Sequence, residues 1–277
     1  MLKRIITAVV ALAVFIPVCI FSDTLIFPIA ITFLCAVGTA EMLRCIGVRH
    51  PAVCMSSLAF AVVSPMLVRL AGDTKLFIAI FCGEVFCYFI VVSAAAVFSH
   101  GTFDVTSAYT AYAMVLYIVS SFVSIVLLRD SRFGKILYIL AFLGPWISDS
   151  AAYFCGRAFG HRKLIPDVSP KKTVAGCVGG LIFTGVVFAF YGFVAVRYLD
   201  VSLSPSYPIL FLVGVLVSAI SQLGDLIASL VKRRYDIKDY GRIFPGHGGV
   251  MDRFDSVLIT APLLLAVAEL SAYIGIL

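Results

Sequence analysis

Long apolar blocks separated by short polar segments fill almost the whole chain. Several blocks reach the roughly 20 residues that a helix needs to cross a hydrocarbon core of about 30 Å. The pattern predicts an all-α fold, a polytopic transmembrane helical bundle with about nine spans. The predicted spans cover residues 5–21, 25–43, 52–70, 76–98, 105–128, 136–155, 173–196, 207–228 and 256–276.

Three of these spans leave alternatives open. The first follows a short basic segment, as a signal peptide would, but no small-residue cleavage site follows and apolar blocks continue. We therefore predict that it is retained as a span. The sixth contains Pro145 and Asp149, and the eighth contains Gln222 and Asp225, so either could be broken or tilted.

Composition supports the membrane assignment. Hydrophobic residues make up 62% of the chain and charged residues 13%. In a soluble domain about half of the residues are hydrophobic and about a quarter are charged. We expect one integral membrane domain over residues 1–277. The eight cysteines lie in or beside apolar blocks, where we expect them to pack as small hydrophobes, with no disulfide framework or structural zinc site.

Positive charges predict the orientation. With nine spans, 15 of the 21 lysines and arginines lie on the side that holds the N-terminus, which predicts a cytoplasmic N-terminus. Two polar loops, about 156–172 and 229–255, then face the cytoplasm. The net charge of +6 reflects this topology and anionic ligands, and we expect no nucleic-acid partner.

Several polar residues in the second half indicate chemistry. Asp149 lies inside an apolar block, where a carboxylate is costly unless it faces a cavity, a metal ion or a partner; alternatively, it lies at the membrane edge in water. Lys171 and Lys172 precede a predicted helix and could meet phosphate, or they are an ordinary basic loop end. We expect the glycines that follow, Gly176, Gly179 and Gly180, to permit close helix packing.

The predicted eighth helix carries a polar stripe. Ser221, Asp225 and Ser229 share one helical face at i, i+4 spacing, with Lys232 close to it. Such a stripe indicates a lined cavity, or alternatively a hydrogen-bonding seam between helices.

The segment 238–255 carries the strongest signal. Its Pro-Gly-His-Gly-Gly run permits unusual backbone angles and can form an anion-binding nest. Asp252 and Asp255 are three residues apart, so they share one side of a helical turn and could bind Mg²⁺ beside a phosphate. The alternative is a glycine-rich turn with both aspartates capping a helix.

The segment from Ser229 to Asp255 resembles the signature of the phosphatidate cytidylyltransferases, also called CDP-diacylglycerol synthases. Supporting matches are Asp149-Ser150-x-Ala152-Tyr153 with Gly156-Arg157, Ser169-Pro170-Lys171-Lys172-Thr173, and Gln222-x-Gly224-Asp225. The family-like catalytic part covers about 140–260. Before it, only the apolar spans and Glu41 are similar to the family.

The resemblance implies that CTP and phosphatidate react to give CDP-diacylglycerol and pyrophosphate in phospholipid biosynthesis. It also implies Mg²⁺ dependence with one or two metal ions, a homodimer, and an active site that faces the cytoplasm from a bacterial inner membrane. The expected metal ligands are Asp225, Asp252, Asp255 and Asp149. The expected phosphate-binding residues are Lys171, Lys172, Lys232, Arg233, Gly246, Gly248, Gly249 and Arg253. His247 is expected to contact phosphate or shape the loop, and joins Asp225, Asp252, Asp255 and Lys232 in the predicted catalytic set.

The sequence differs from the family pattern at two positions, and two other functions are alternatives to the predicted one. Ala175 and Ala228 stand where the family often has glutamate, and their effect on the rate is open. A membrane ion or solute transporter is the alternative, because Glu84 is a mid-span acid with no partner identifiable from sequence. Another lipid-phosphate enzyme is a closer rival, but the Asp-Gly-x-x-Ala-Arg type of run expected for a CDP-alcohol phosphotransferase does not occur here.

Overall fold

The structure, a computed structural model, describes residues 2–198 and 206–274. Long helices dominate these residues, with one short hairpin between the sixth and seventh. The helices are α1 (Leu2–Ile20), α2 (Ile26–Cys45), α3 (Pro51–Leu70), α4 (Thr74–Phe98), α5 (Val105–Asp130), α6 (Gly134–Phe159), α7 (Val174–Tyr198), α8 (Tyr207–Arg234) and α9 (Met251–Ile274). The strands are β1 (Lys163–Ile165) and β2 (Ser169–Thr173), which pair antiparallel.

Each predicted span corresponds to a helix, and the sixth and eighth are continuous. Pro145 lies inside α6 without ending it. Within the described residues, seven helices are long and apolar enough to cross a membrane, namely α2, α3, α4, α5, α7, α8 and α9. The apolar part of α1, Ile6–Ile20, is shorter, and α6 does not belong to the seven.

The polar loops are shorter than the sequence predicts because charged residues extend the helices. α8 continues to Arg234, with Lys232, Arg233 and Arg234 in its last turn. Asp252 lies in the first turn of α9. Cations near the C-terminus of a helix and anions near its N-terminus both stabilise the helix, because they interact favourably with its dipole. These four charged residues therefore belong to helix ends.

The chain divides into two compact units. The first comprises Met1–Val126 and Tyr235–Phe254. Within it, α1 packs on α2, α2 on α3, and α3 on α4. Two polar contacts join α3 to α4: Ser57 Oγ lies 2.9 Å from Tyr88 Oη, and Ser64 Oγ donates to Glu84 Oε2 at 2.7 Å. Glu84, the acid that raised the transporter alternative, thus has a hydroxyl partner.

The second unit comprises Leu127–Arg234 and Asp255–Leu277. Here α7 packs against both α6 and α8, and the hairpin adjoins α6 and α7. Close approach depends on small residues. An added Cβ at Gly179 would overlap the Cys155 side chain, and one at Gly180 would lie 2.9 Å from Gln222 Nε2. The prediction that these glycines serve helix packing is confirmed.

Large apolar side chains are exposed on many helices. Met55, Val97, Phe98 and Phe190 are between 63% and 75% exposed. In water such a surface would be costly, at roughly 25 cal/mol per Å² of apolar area. A bilayer solvates it without that cost, which agrees with the membrane-spanning lengths of the helices.

Candidate active site

The predicted site residues fall into two groups, one in each unit. We call the first the loop cluster: it consists of the loop 239–250, Asp252, Arg253 and Glu41. We call the second the helix cluster: it consists of Lys172, Asp225, Asp255, Lys232 and Asp149.

The glycine-rich run in the loop cluster forms a tight turn. Phe244 N donates to Gly248 O at 2.9 Å, and His247 N donates to Phe244 O at 2.9 Å. Gly246 and Gly248 have φ angles of 79° and 88°, a left-handed conformation that glycine adopts without steric cost. The unusual backbone angles that the sequence predicts are therefore present at these two positions.

Asp252 ties this turn to the start of α9. Its Oδ2 accepts hydrogen bonds from Tyr240 N at 2.8 Å and from Gly249 N at 2.9 Å, and the residue is 9% exposed. Both donors precede α9, which begins at Met251, so Asp252 fastens the loop to the first turn of the helix and does not accept the helix's own N–H groups. The N–H of Gly249 is therefore already used within the protein, and the metal-binding and capping alternatives for Asp252 and Asp255 stay predictions.

Glu41 is a member of this cluster that sequence analysis left without a role. It reaches from α2, is 2% exposed, and accepts hydrogen bonds from Val250 N at 3.1 Å and Met251 N at 2.9 Å. The signal that could have singled it out is the cost of an acid in an apolar block. Its partner could not be read from sequence, because they are 209 residues apart.

His247 and Arg253 also meet in the loop cluster. Arg253 Nε donates to the backbone oxygen of His247 at 2.8 Å. The Nδ1 atom of His247 is buried and has no hydrogen-bond partner among the described residues. The contact gives Arg253 a loop-shaping role, and it involves only the backbone of His247.

In the helix cluster, Lys172 and Asp225 form an ion pair. Lys172 Nζ lies 2.5 Å from Asp225 Oδ2 and also donates to Gln222 O at 3.3 Å. Their side chains are 22% and 32% exposed. Lys172 lies at the end of β2, next to Thr173. Thr173 Oγ1 accepts a hydrogen bond from Gly176 N at 3.2 Å and thereby caps α7.

Asp255 lies within electrostatic range of three other members of the helix cluster. The charges of Asp225, Lys232 and Asp149 all act on its carboxylate. Gly224 allows α8 to approach α9 here, since an added Cβ would lie 2.6 Å from Ile259 Cγ2 and 3.1 Å from Asp255 O.

α8 makes two kinds of polar contact. Toward its N-terminal side it forms an interhelical seam, in which Ser148 Oγ lies 2.7 Å from Ser218 Oγ and Gln222 Nε2 donates to Cys177 O at 3.3 Å. Farther along, Asp225 faces a cation instead. This seam is formed by Ser218 and Gln222, whereas Ser221 Oγ is buried without a hydrogen-bond partner among the described residues. The lined cavity expected along Ser221, Asp225 and Ser229 stays a prediction.

The remaining predicted residues are exposed. Lys171 on β2, Arg233 at the end of α8 and Asp149 on α6 all lie at the surface. Among residues 2–198 and 206–274, no three His, Cys, Asp or Glu side chains lie close enough together to hold a metal ion by themselves.

Comparison with known proteins decides the family. A model of the cytidylyltransferase family matches residues 2–271. The chain belongs to this family. Cytidylyltransferases are nucleotidyltransferases, so the chain is an enzyme of that class, and family membership leaves the transporter alternative without support.

Individual cytidylyltransferases agree with the family match. The phosphatidate cytidylyltransferase of Staphylococcus haemolyticus (strain JCSC1435) is 34% identical over 261 residues, which are 94% of this chain and 96% of that protein. The phosphatidate cytidylyltransferase of Bacillus subtilis (strain 168) is 40% identical over 164 residues, 59% of this chain and 58% of that protein. That of Staphylococcus aureus (strain COL) is 33% identical over 261 residues, 94% of this chain and 96% of that protein.

Proposed function

We propose that this enzyme transfers the cytidylyl group of CTP to phosphatidate, giving CDP-diacylglycerol and pyrophosphate. The observation that carries the proposal is the full-length similarity to proteins named phosphatidate cytidylyltransferase. In the reaction, a phosphate oxygen of the lipid bonds to the α-phosphorus of CTP. The bond from that phosphorus to the bridging oxygen breaks, and pyrophosphate leaves.

The chemistry does not require a strong general base. The second pKa of a phosphate monoester is about 6, so the lipid phosphate is mostly dianionic at neutral pH. The obstacle is repulsion between this dianion and the triphosphate. Lys172 and Lys232 bring positive charge to the helix cluster, and in our proposal they contact the phosphates together with the more exposed Lys171 and Arg233. For the loop cluster we propose phosphate contacts by Arg253, Gly246 and Gly248, whereas the N–H of Gly249 is already bonded to Asp252.

The helix cluster also fits a divalent cation. Asp225 and Asp255 supply hard oxygen donors whose charges interact, and Mg²⁺ is usually bound by one or two carboxylates completed by substrate phosphates and water. We propose Asp225 and Asp255 as ligands, with Asp252 and Asp149 as further candidates, for one or two ions. Bound Mg²⁺ would neutralise phosphate charge and stabilise the in-line transition state.

Topology and assembly complete the proposal. We propose nine spans in a single integral membrane domain, a cytoplasmic N-terminus, and a bacterial inner membrane with the site facing the cytoplasm. The excess of lysine and arginine on one side supports this orientation. It gives cytosolic CTP and bilayer phosphatidate access to the same site. The functional assembly is proposed to be a homodimer.

The decisive experiment measures pyrophosphate release by purified protein in detergent-lipid micelles. We expect release only when CTP, phosphatidate and Mg²⁺ are all present, with CDP-diacylglycerol formed in equal amount. An Asp225→Asn variant should lose activity, while Glu269→Gln, an exposed residue of α9, serves as the matched control. Folded protein that releases no pyrophosphate with any phosphatidate tested would refute the proposal.

A further inference from the structure

Glu41 contacts the loop cluster from a helix that precedes it by about 200 residues. Each of its two carboxylate oxygens accepts one hydrogen bond: Oε1 from the N–H of Val250, and Oε2 from the N–H of Met251. These are N–H groups at the start of α9, where a helix lacks internal acceptors. A buried carboxylate that meets two of them both caps the helix and fixes its direction.

The glycines of the loop fit this carboxylate. A Cβ added at Gly241 or at Gly249 would overlap the Glu41 carboxyl group. One turn earlier on α2, Gly38 lies against the same helix start, since its added Cβ would be 3.4 Å from Met251 Sδ. Three positions without side chains therefore surround the Glu41 contact, which is built for close approach.

We infer that Glu41 is a positioning residue, which holds the start of α9 and the loop 239–250 and thereby the carboxylate of Asp252. Asp252 holds Tyr240 N and Gly249 N, and Glu41 holds the next two N–H groups. Two carboxylates from distant parts of the sequence thus occupy four backbone donors of one loop. The link to catalysis rests on the proposed function, whereas the link to loop order does not.

Hydrogen–deuterium exchange of the metal-free protein tests loop order directly. We expect the peptide covering 239–253 to exchange at least about tenfold faster in Glu41→Ala, because two charge-assisted hydrogen bonds are lost. Glu41→Gln keeps one acceptor and should show a smaller increase. Peptides from the β1–β2 hairpin should be unchanged, and Glu269→Gln should match the wild type. Wild-type exchange of the loop in Glu41→Ala would overturn the inference.

Coupling between Glu41 and Gly249 gives a second test. Gly249→Ala should lower kcat strongly when Glu41 is present, because the new methyl group displaces its carboxylate. In a Glu41→Ala background the same change should cost much less, so the two losses should not multiply. Losses that multiply would overturn the inference.

The two tests separate this inference from the proposed function. If no variant or wild-type protein converts CTP, but loop exchange responds to Glu41 as expected, the proposed function fails and the positioning contact stands. If Glu41→Ala loses activity with unchanged loop exchange, Glu41 does not act by positioning.

Discussion

Gly224 offers a test of the helix cluster that alters no ionisable residue. It lies on α8 next to Asp225, at the point where α8 meets α9. An alanine Cβ there would lie 2.6 Å from Ile259 Cγ2, 3.1 Å from Asp255 O and 3.3 Å from Ser256 Cα. Carbon atoms in favourable contact are about 3.5–4.0 Å apart, so the helices must separate locally by roughly 1 Å.

The neighbouring atoms cannot move aside cheaply. Ile259 is β-branched and has one preferred rotamer in a helix, and the other two atoms belong to the backbone of α9. Overpacking of this kind costs about 1–3 kcal/mol, against a gain of about 1 kcal/mol in helix propensity when glycine becomes alanine. Gly224→Ala should therefore lower stability slightly or leave it unchanged, while moving Asp225 away from Asp255.

The effect on turnover should be much larger than the effect on stability. A misplacement of about 1 Å in a catalytic constellation can cost about 100-fold in rate, so we expect kcat to fall by roughly that factor. Pyrophosphate release and thermal unfolding in detergent measure the two effects. Gly83→Ala is the matched control, because Gly83 is also in a helix and its added Cβ meets nothing within 4 Å. Full activity of Gly224→Ala would show that the Asp225–Asp255 approach is irrelevant to catalysis.

Three further predictions concern the charged groups. Asp252→Asn should lose at least about 100-fold in turnover and about 1–3 kcal/mol in stability, because the neutral amide oxygen accepts the two N–H groups more weakly than the charged Oδ2 does; an unchanged unfolding temperature would contradict this role of Asp252 in the loop. Lys172→Met should raise the KM for CTP and reduce kcat, since Asp225 loses its cation at 2.5 Å. Lys171 is more exposed, so Lys171→Met should change both constants less. Equal effects of the two variants would argue against a role for the ion pair. Chelation should abolish pyrophosphate release and added Mg²⁺ should restore it, with circular dichroism unchanged; activity that persists in excess chelator would exclude the metal role.

Much of the fold could be predicted from the sequence, because helix formation in apolar blocks is governed by local composition. All nine predicted spans coincide with helices, and the glycine turn at Gly246 and Gly248 has the predicted left-handed angles. The helix ends were harder to predict. The Lys232–Arg234 run has the polarity of a loop, yet it continues α8 because cations are favourable at a helix C-terminus.

Local composition and residue pattern are enough to predict a membrane protein with acids and lysines of suitable chemistry in its second half. Which of these residues meet was decided only by tertiary structure. The pairing of Lys172 with Asp225 depends on how the hairpin leads into α7 and how α7 packs on α8. The contact of Glu41 with the start of α9 also depends on tertiary structure, because local periodicity cannot indicate a partner 209 residues away. Hydrophobic pattern fixes each helix separately, but contacts between helices depend on packing across the whole chain, which no short segment encodes.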